Sequence, residues 1–214
     1  MAFSNKEKIE NLSKIKQIAT QRGIKQLVHF TVLDHLPEML SEGLYSRTIL
    51  RKEKPGDYIY IDEVRNDKKL RWISVSVSFP NWKMFYNQRM NRKDLDVWVL
   101  LILDVKILWE LDCMFMTKNA ASSSLLKGSW ASSWEVFNRM FEDENRAPLI
   151  PENWTSDPQA EVMVKDRIPA NYIKKIVVEN KEVEKVCKRK CKTDLKIIID
   201  RKLFGPRGDY KYKR

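Results

Sequence analysis

The chain has 214 residues, 43% of them hydrophobic, and its 40 Lys+Arg against 29 Asp+Glu leave a formal charge of +11. That length and apolar content suit one sizeable domain with a real core, expected over residues 1–214, and the basic surplus favours a polyanionic partner. The three cysteines, Cys113, Cys187 and Cys191, are too few for a disulfide framework, which points to a reducing, cytoplasmic setting.

Residues 5–22 place Ile9, Leu12, Ile15, Ile18 and Ala19 at helical spacing, with Ser4 or Asn5 as cap and Gly23 as stop. Residues 26–30 read as a strand. Residues 34–40 read as a helix, with Pro37 in its first turn and Gly43 closing it. The charged stretch 47–71 contains KPGD and is expected to be mostly loop, with one short strand at 58–61. Residues 72–79, WISVSVSF, alternate apolar and serine in period two, a strand with one polar face, broken by Pro80-Asn81. A helix at 82–90 follows, then the most hydrophobic segment, 97–103, as a central strand. It is too short to span a bilayer, and residues 1–23 lack an apolar core of signal-peptide length. A helical turn at 105–110, a strand at 112–116, a Ser- and Ala-rich loop at 119–133 and a helix at 134–141 come next. After a loop at 146–158, strands are expected at 160–164 and 175–178, a basic helix at 181–192 and a last strand at 195–199. The ending PRGDYKYKR is expected to be loose. Strands and helices mix without a strict βαβ rhythm, which argues for an α+β fold.

Few residues offer chemistry. There is no G-x-G-x-x-G, no G-x-x-x-x-G-K and no H-E-x-x-H, so neither common phosphate loop nor a metal hydrolase is expected. Cys187 and Cys191 are four apart without nearby zinc-ligating partners, and no metal is expected. The only histidines are His29 and His35. His29 shares a strand face with Thr31. Taken alone, a strand histidine is commonly a satisfied core or edge residue. Glu161 interrupts the apolar run A-E-V-M-V and shares a face with Met163, whereas Ala160, Val162 and Val164 face the other way. Read by itself it belongs on the solvated face of an edge strand.

Four blocks in order carry a resemblance: LVHFTVLDHLPEMLSEGLYSR, ISVSVSFPNWKMFY, ILWELDCMFMTKNAAS and SDPQAEVMVKDRIPANYIKKIVV. Together they resemble the DarT family, ADP-ribosyltransferases that modify a base in single-stranded DNA and act as toxins paired with a macrodomain antitoxin. The resemblance implies an ADP-ribosyltransferase-like fold, two small β-sheets packed around an NAD-binding cleft with helices outside, and NAD+ as co-substrate. It places His29, Phe30 and Thr31 on NAD+ and makes Glu161 the catalytic carboxylate. A functional arginine belongs in the charged stretch before I-S-x-S, where Arg65 is favoured over Arg71 by its distance from His29. Met84 and Tyr86 would line the nicotinamide pocket, with Phe85 equally suited to the buried face of a helix. Asn119 and Ser122, with Arg71, would belong to a substrate loop. The implied partners are single-stranded DNA and a separately encoded antitoxin, with the enzyme itself a monomer. The basic segment 181–214 would hold the strand's phosphates. Thymine and guanine stay open as the modified base. The competing readings are the same chemistry on RNA or protein, and a non-catalytic basic nucleic-acid-binding domain.

Overall fold

The computed structural model describes residues 4–54, 69–92, 95, 97–118, 130–142 and 150–209. In chain order the elements are α1 (Asn5–Gln21), β1 (Gln26–Val32), α2 (Leu36–Glu42), β2 (Leu44–Tyr45), α3 (Arg47–Glu53), β3 (Trp72–Val77), α4 (Trp82–Asn91), β4 (Trp98–Asp104) and α5 (Ile107–Glu110). They continue with β5 (Cys113–Met116), β6 (Trp130–Ala131), α6 (Trp134–Arg139), β7 (Glu161–Lys165), β8 (Arg167–Ile168), β9 (Ile173–Val178), α7 (Lys181–Lys190) and β10 (Lys196–Ile199).

The large sheet runs β10-β9-β4-β1-β3-β7-β5-β6, and β2 pairs with β8 in a small separate sheet. Its two halves are unequally joined. β1 pairs with β4 along its whole length, from Gln26↔Asp104 to Val32↔Trp98. It meets β3 only at Leu27↔Val77 and Val28↔Ser76. Beyond those two pairs β1 and β3 diverge, so β10-β9-β4-β1 and β3-β7-β5-β6 behave as two half-sheets hinged at one corner. This is the two-sheet, helix-flanked α+β arrangement expected from the sequence.

The residues explain the strands. β4 is buried from Trp98 to Leu103 because helical elements cover both of its faces, so its apolar run needs no alternation. One face carries Leu27, Val99, Leu101, Leu103 and Ile176 against Ile15, Ala19, Ile107 and Phe137, from α1, α5 and α6. The other carries Val28, Val32, Leu100, Ile102 and Val177 under Phe85 of α4 and Phe204. Phe85 stacks on Phe30 at 5.0 Å between centroids and meets Phe204 at 5.6 Å. Burying a ring of this size contributes about 2–3 kcal/mol, enough to fix α4 to that half-sheet. α1 opens with a reciprocal box in which Ser4 and Glu7 each cap the other's backbone. α7 carries β9 into the parallel strand β10 and turns Cys187 into the core, where burial pushes its thiol up to about 12.

The structure departs from the expectations at several places, including β6 (Trp130–Ala131) inside the stretch 119–133 expected to be a loop. The charged stretch 47–71, expected to be mostly loop, opens with α3, which Ser46 starts by accepting a hydrogen bond from the Ile49 amide at 3.4 Å. Seven residues are too few to register as a period. The pair β2–β8 went unread because two-residue strands have no pattern of their own. The start of the tail is not loose: Arg207 and Asp209 are 2% and 5% exposed. The short strand expected at 58–61 lies outside the described residues.

Candidate active site

Glu161 opens β7, which runs between β3 and β5 and is not an edge strand. Its partner across the sheet is Met116. The residue is 4% exposed, so the reading of a solvated edge carboxylate is overturned. A buried carboxylate needs donors, since desolvation of an unpaired one is costly. Ser74 Oγ donates to Glu161 Oε1 at 2.9 Å, and Asn81 Nδ2 donates to the same oxygen at 3.4 Å.

Each donor has a local cause. Ser74 and Ser76 belong to the polar face of β3, which the period-two alternation turns toward Glu161 and Met163. Ser76 Oγ accepts the Asn81 amide at 2.9 Å. Asn81 is 1% exposed and caps α4, its Oδ1 accepting from the Met84 amide at 3.2 Å. The turn that delivers Asn81 is tight: Phe79 N donates to Val77 O at 2.6 Å around Ser78, whose φ is +60°. A non-glycine residue is strained there, and such strain is held only where surrounding structure enforces it.

His29 sits where β1 leaves β3. Its Nδ1–H donates to Ser74 O at 2.9 Å, which puts the proton on Nδ1 in the neutral ring and makes Nε2 the acceptor. Ser74 therefore links the two half-sheets. Its carbonyl takes His29 from one half, and its hydroxyl holds Glu161 in the other.

The other expected residues fall differently. Thr31 is fully buried and its hydroxyl meets His35 Nδ1 at 3.3 Å, so it braces the chain locally. Phe30 packs into the aromatic cluster with Phe85 and Trp98. Met84 is half-buried near the start of α4. Tyr86 is 58% exposed. Arg71 pairs in a fork with Asp166, Nε to Oδ1 at 3.0 Å, and that pairing lowers the Asp166 carboxyl below its ordinary range. The pair lies at the Trp72↔Lys165 end of the sheet, the far end of β7 from Glu161. At about 3.3 Å per residue that is roughly 13 Å away, so Arg71 is not part of this group. Arg65, Asn119 and Ser122 lie outside the described residues. Ser74 and Asn81 were missed as site residues. The serine alternation signalled the first, whereas Asn81 gave only the signal of a strand breaker.

A cavity of about 690 Å³ lies nearby, lined by Gln26, Ser78, Phe79, Trp154 and Leu203 among others, but neither Glu161 nor His29 reaches it. Among the described residues no group of three or more His, Cys, Asp or Glu is arranged to hold a metal.

Here a buried glutamate is held by serine and asparagine and joined through that serine to a histidine across a splayed pair of half-sheets. The family model described as ssDNA thymidine ADP-ribosyltransferase, DarT, matches residues 28–204, and the chain belongs to that family. Solved structures agree in fold. Thermosipho africanus DarTG in complex with ADP-ribose matches at TM-score 0.63 and 18% identity, over 84% of this chain and 51% of that one. The chain thus spans about half the length of that protein. Thermus sp. 2.9 DarT matches in its complex with NAD+ at TM-score 0.57 and 13% identity, over 85% of this chain and 98% of that one. Its complex with ADP-ribosylated ssDNA matches at TM-score 0.60 and 14% identity, over 86% and 97%. A search of curated proteins gave no significant match.

Proposed function

We propose that the protein transfers ADP-ribose from NAD+ to a thymidine base in single-stranded DNA, releasing nicotinamide, with Glu161 as the catalytic carboxylate. One observation carries this: Glu161 is 4% exposed yet held by two donors where the half-sheets part. The family description supports thymidine as the base that the sequence left open. The Thermus complexes with NAD+ and with ADP-ribosylated ssDNA support the two substrates.

When bound, NAD+ supplies an ADP-ribosyl group whose bond to nicotinamide breaks with the electron pair leaving on nicotinamide. Glu161 then offsets the positive charge gathering on the ribose, and a preorganised carboxylate does so without waiting for water to reorient. Ser74 and Asn81 hold Oε1 in place for that task. His29, with its lone pair on Nε2, accepts a hydrogen bond from a ribose hydroxyl. The base nitrogen forms the new bond to the anomeric carbon, and Glu161 assists loss of that nitrogen's proton. Arg65 is assigned to the NAD+ diphosphate, where a guanidinium binds in a fork. Asn119 and Ser122 are assigned to the acceptor strand, and Met84 and Tyr86 to the nicotinamide side. An unpaired strand suits the reaction because a paired thymine hides its nitrogen. A separately encoded macrodomain antitoxin, in the cytoplasm, is the protein partner we assign; the DarTG match supports an antitoxin partner.

The test is a transfer assay with NAD+ labelled on the adenylate and matched DNA and RNA oligonucleotides with and without thymidine or uridine. Wild type should label single-stranded DNA containing thymidine. Glu161→Gln should lose about a hundredfold to a thousandfold in rate, the scale of removing one preorganised group from a developing charge. Label on RNA or on the protein itself would move the acceptor, and an active Glu161→Gln variant would remove Glu161 from the chemistry.

A further inference from the structure

The family match ends at residue 204, yet the chain continues into the molecule. Arg207 is 2% exposed, and its guanidinium makes a fork with Asp209, Nε to Oδ1 and Nη2 to Oδ2, both at 2.6 Å. The remaining hydrogens go elsewhere. Nη1 donates to Thr155 O at 2.8 Å, and Nη2 donates to Ser156 O at 3.3 Å. The guanidinium also lies 5.5 Å from the centre of the Trp154 ring. A buried ion pair is weak evidence of stabilisation by itself, since desolvation takes back most of the attraction. What this one does is aim. A planar five-donor fork that is bound on one side to a carboxylate can grip two successive carbonyls only in one orientation.

The gripped segment is the approach to Glu161. From Thr155 onward it is internally rigid. Thr155 Oγ1 donates to Asp157 O at 2.7 Å, Gln159 N donates to Asp157 Oδ1 at 2.7 Å, and Ala160 N donates to Asp157 O at 3.1 Å. A displacement at Thr155 is therefore passed on to Ala160, the neighbour of Glu161. The second route runs through Trp154, whose ring meets Phe79 at 4.9 Å. Phe79 stands two residues before Asn81, the side-chain donor to Glu161. Arg207 thus holds both the backbone that carries the carboxylate and the turn that carries one of its donors.

We propose that Arg207 is a positioning residue for Glu161, acting through the loop 154–160, and that the segment 205–209 is part of the working enzyme. The role of Glu161 that it serves rests on the transferase reading above. In this role Arg207 acts through the loop and not on substrate or the reacting atoms.

The experiment compares wild type with Arg207→Met/Asp209→Asn, which removes both charges together and leaves no buried ion unpaired. Steady-state kinetics with NAD+ and a thymidine oligonucleotide, melting, and hydrogen exchange of peptides across 152–160 are read together. The expected result is a melting midpoint near wild type, faster exchange confined to 152–160, a kcat at least about tenfold lower and KM for NAD+ within about threefold, since an interaction felt only in the transition state lowers kcat alone. Should the double variant not fold, Arg207→Lys gives the same readouts, because a lysine keeps a cation beside Asp209 but cannot hold two carbonyls in a fork. Unchanged exchange across 152–160, or a kcat within about twofold of wild type in a loosened loop, overturns the proposal. If wild type releases nicotinamide without labelling DNA, the acceptor reading fails instead, and nicotinamide release and loop exchange still decide Arg207.

Discussion

At the scale of single residues, Ser74 is the joint of the site. Its main chain and hydroxyl face different halves of the sheet, binding His29 through the carbonyl and Glu161 through the hydroxyl. Ser74→Ala keeps the carbonyl and deletes only the donor to Glu161. A hydrogen bond to a charged group contributes about 1.5–3 kcal/mol, so kcat should fall roughly tenfold to a hundredfold while KM for NAD+ stays close to wild type. Steady-state kinetics with the thymidine oligonucleotide would show it. A kcat equal to wild type would mean that the Ser74 hydroxyl is not needed to hold the carboxylate. The same scale explains what the chain's pattern concealed. The period-two serines of WISVSVSF announce a polar face, and Glu161 with Met163 announces another, but nothing in either segment says that the two faces adjoin. That follows only from the pairing Ser74↔Met163 and Val75↔Val162.

At the scale of elements, the small sheet shows how a two-residue pairing can matter. Gly43 ends α2 at φ +95°, and a Cβ there would stand 2.2 Å from Ile168 O and 2.9 Å from Ala170 N. Both are backbone atoms, so neither can swing aside. The glycine is required twice over, by its dihedral and by the close approach of β8 to β2. Gly43→Ala should destabilise by about 2 kcal/mol or more and lower the melting temperature by roughly 5 °C or more for a chain of this length, measured by calorimetry or circular dichroism. An unshifted midpoint would show that β2–β8 pairing is dispensable. The sequence already marked Gly43 as a helix stop, because glycine is the usual residue at that position. It could not mark the clash, which belongs to a strand more than a hundred residues away.

At the scale of the whole molecule, the +11 charge is the sequence's clearest statement about a partner. No helix among the described residues is long and apolar enough to cross a membrane. If the charge serves a single strand, KM for the oligonucleotide should rise steeply with salt. Each neutralised phosphate adds about −0.7 to the slope of log affinity against log salt, so three contacts would give a slope near −2. KM for NAD+ should change far less. A flat dependence for the oligonucleotide would leave the basic residues as solvated surface. Titrating both constants between low and high salt in one transfer assay separates the two.

The sequence by itself determined the elements with strong period or long apolar runs: α1, β1, β3, β4, β7, β9 and α7, where local residue choice and burial agree. It also determined Glu161 and His29 as candidates, through the order of four blocks. Tertiary structure alone decided that β7 is an interior strand, which turns Glu161 from a surface charge into a held carboxylate. It alone recruited Asn81, removed Arg71 to the far end of the sheet, and brought Arg207 back beneath the loop leading to Glu161. The physical reason is the same in each case. A chain's periodicity records which face of an element is buried, but the hydrogen-bond partner of a buried polar group lies on another element, and its identity is set only when the strands take their register.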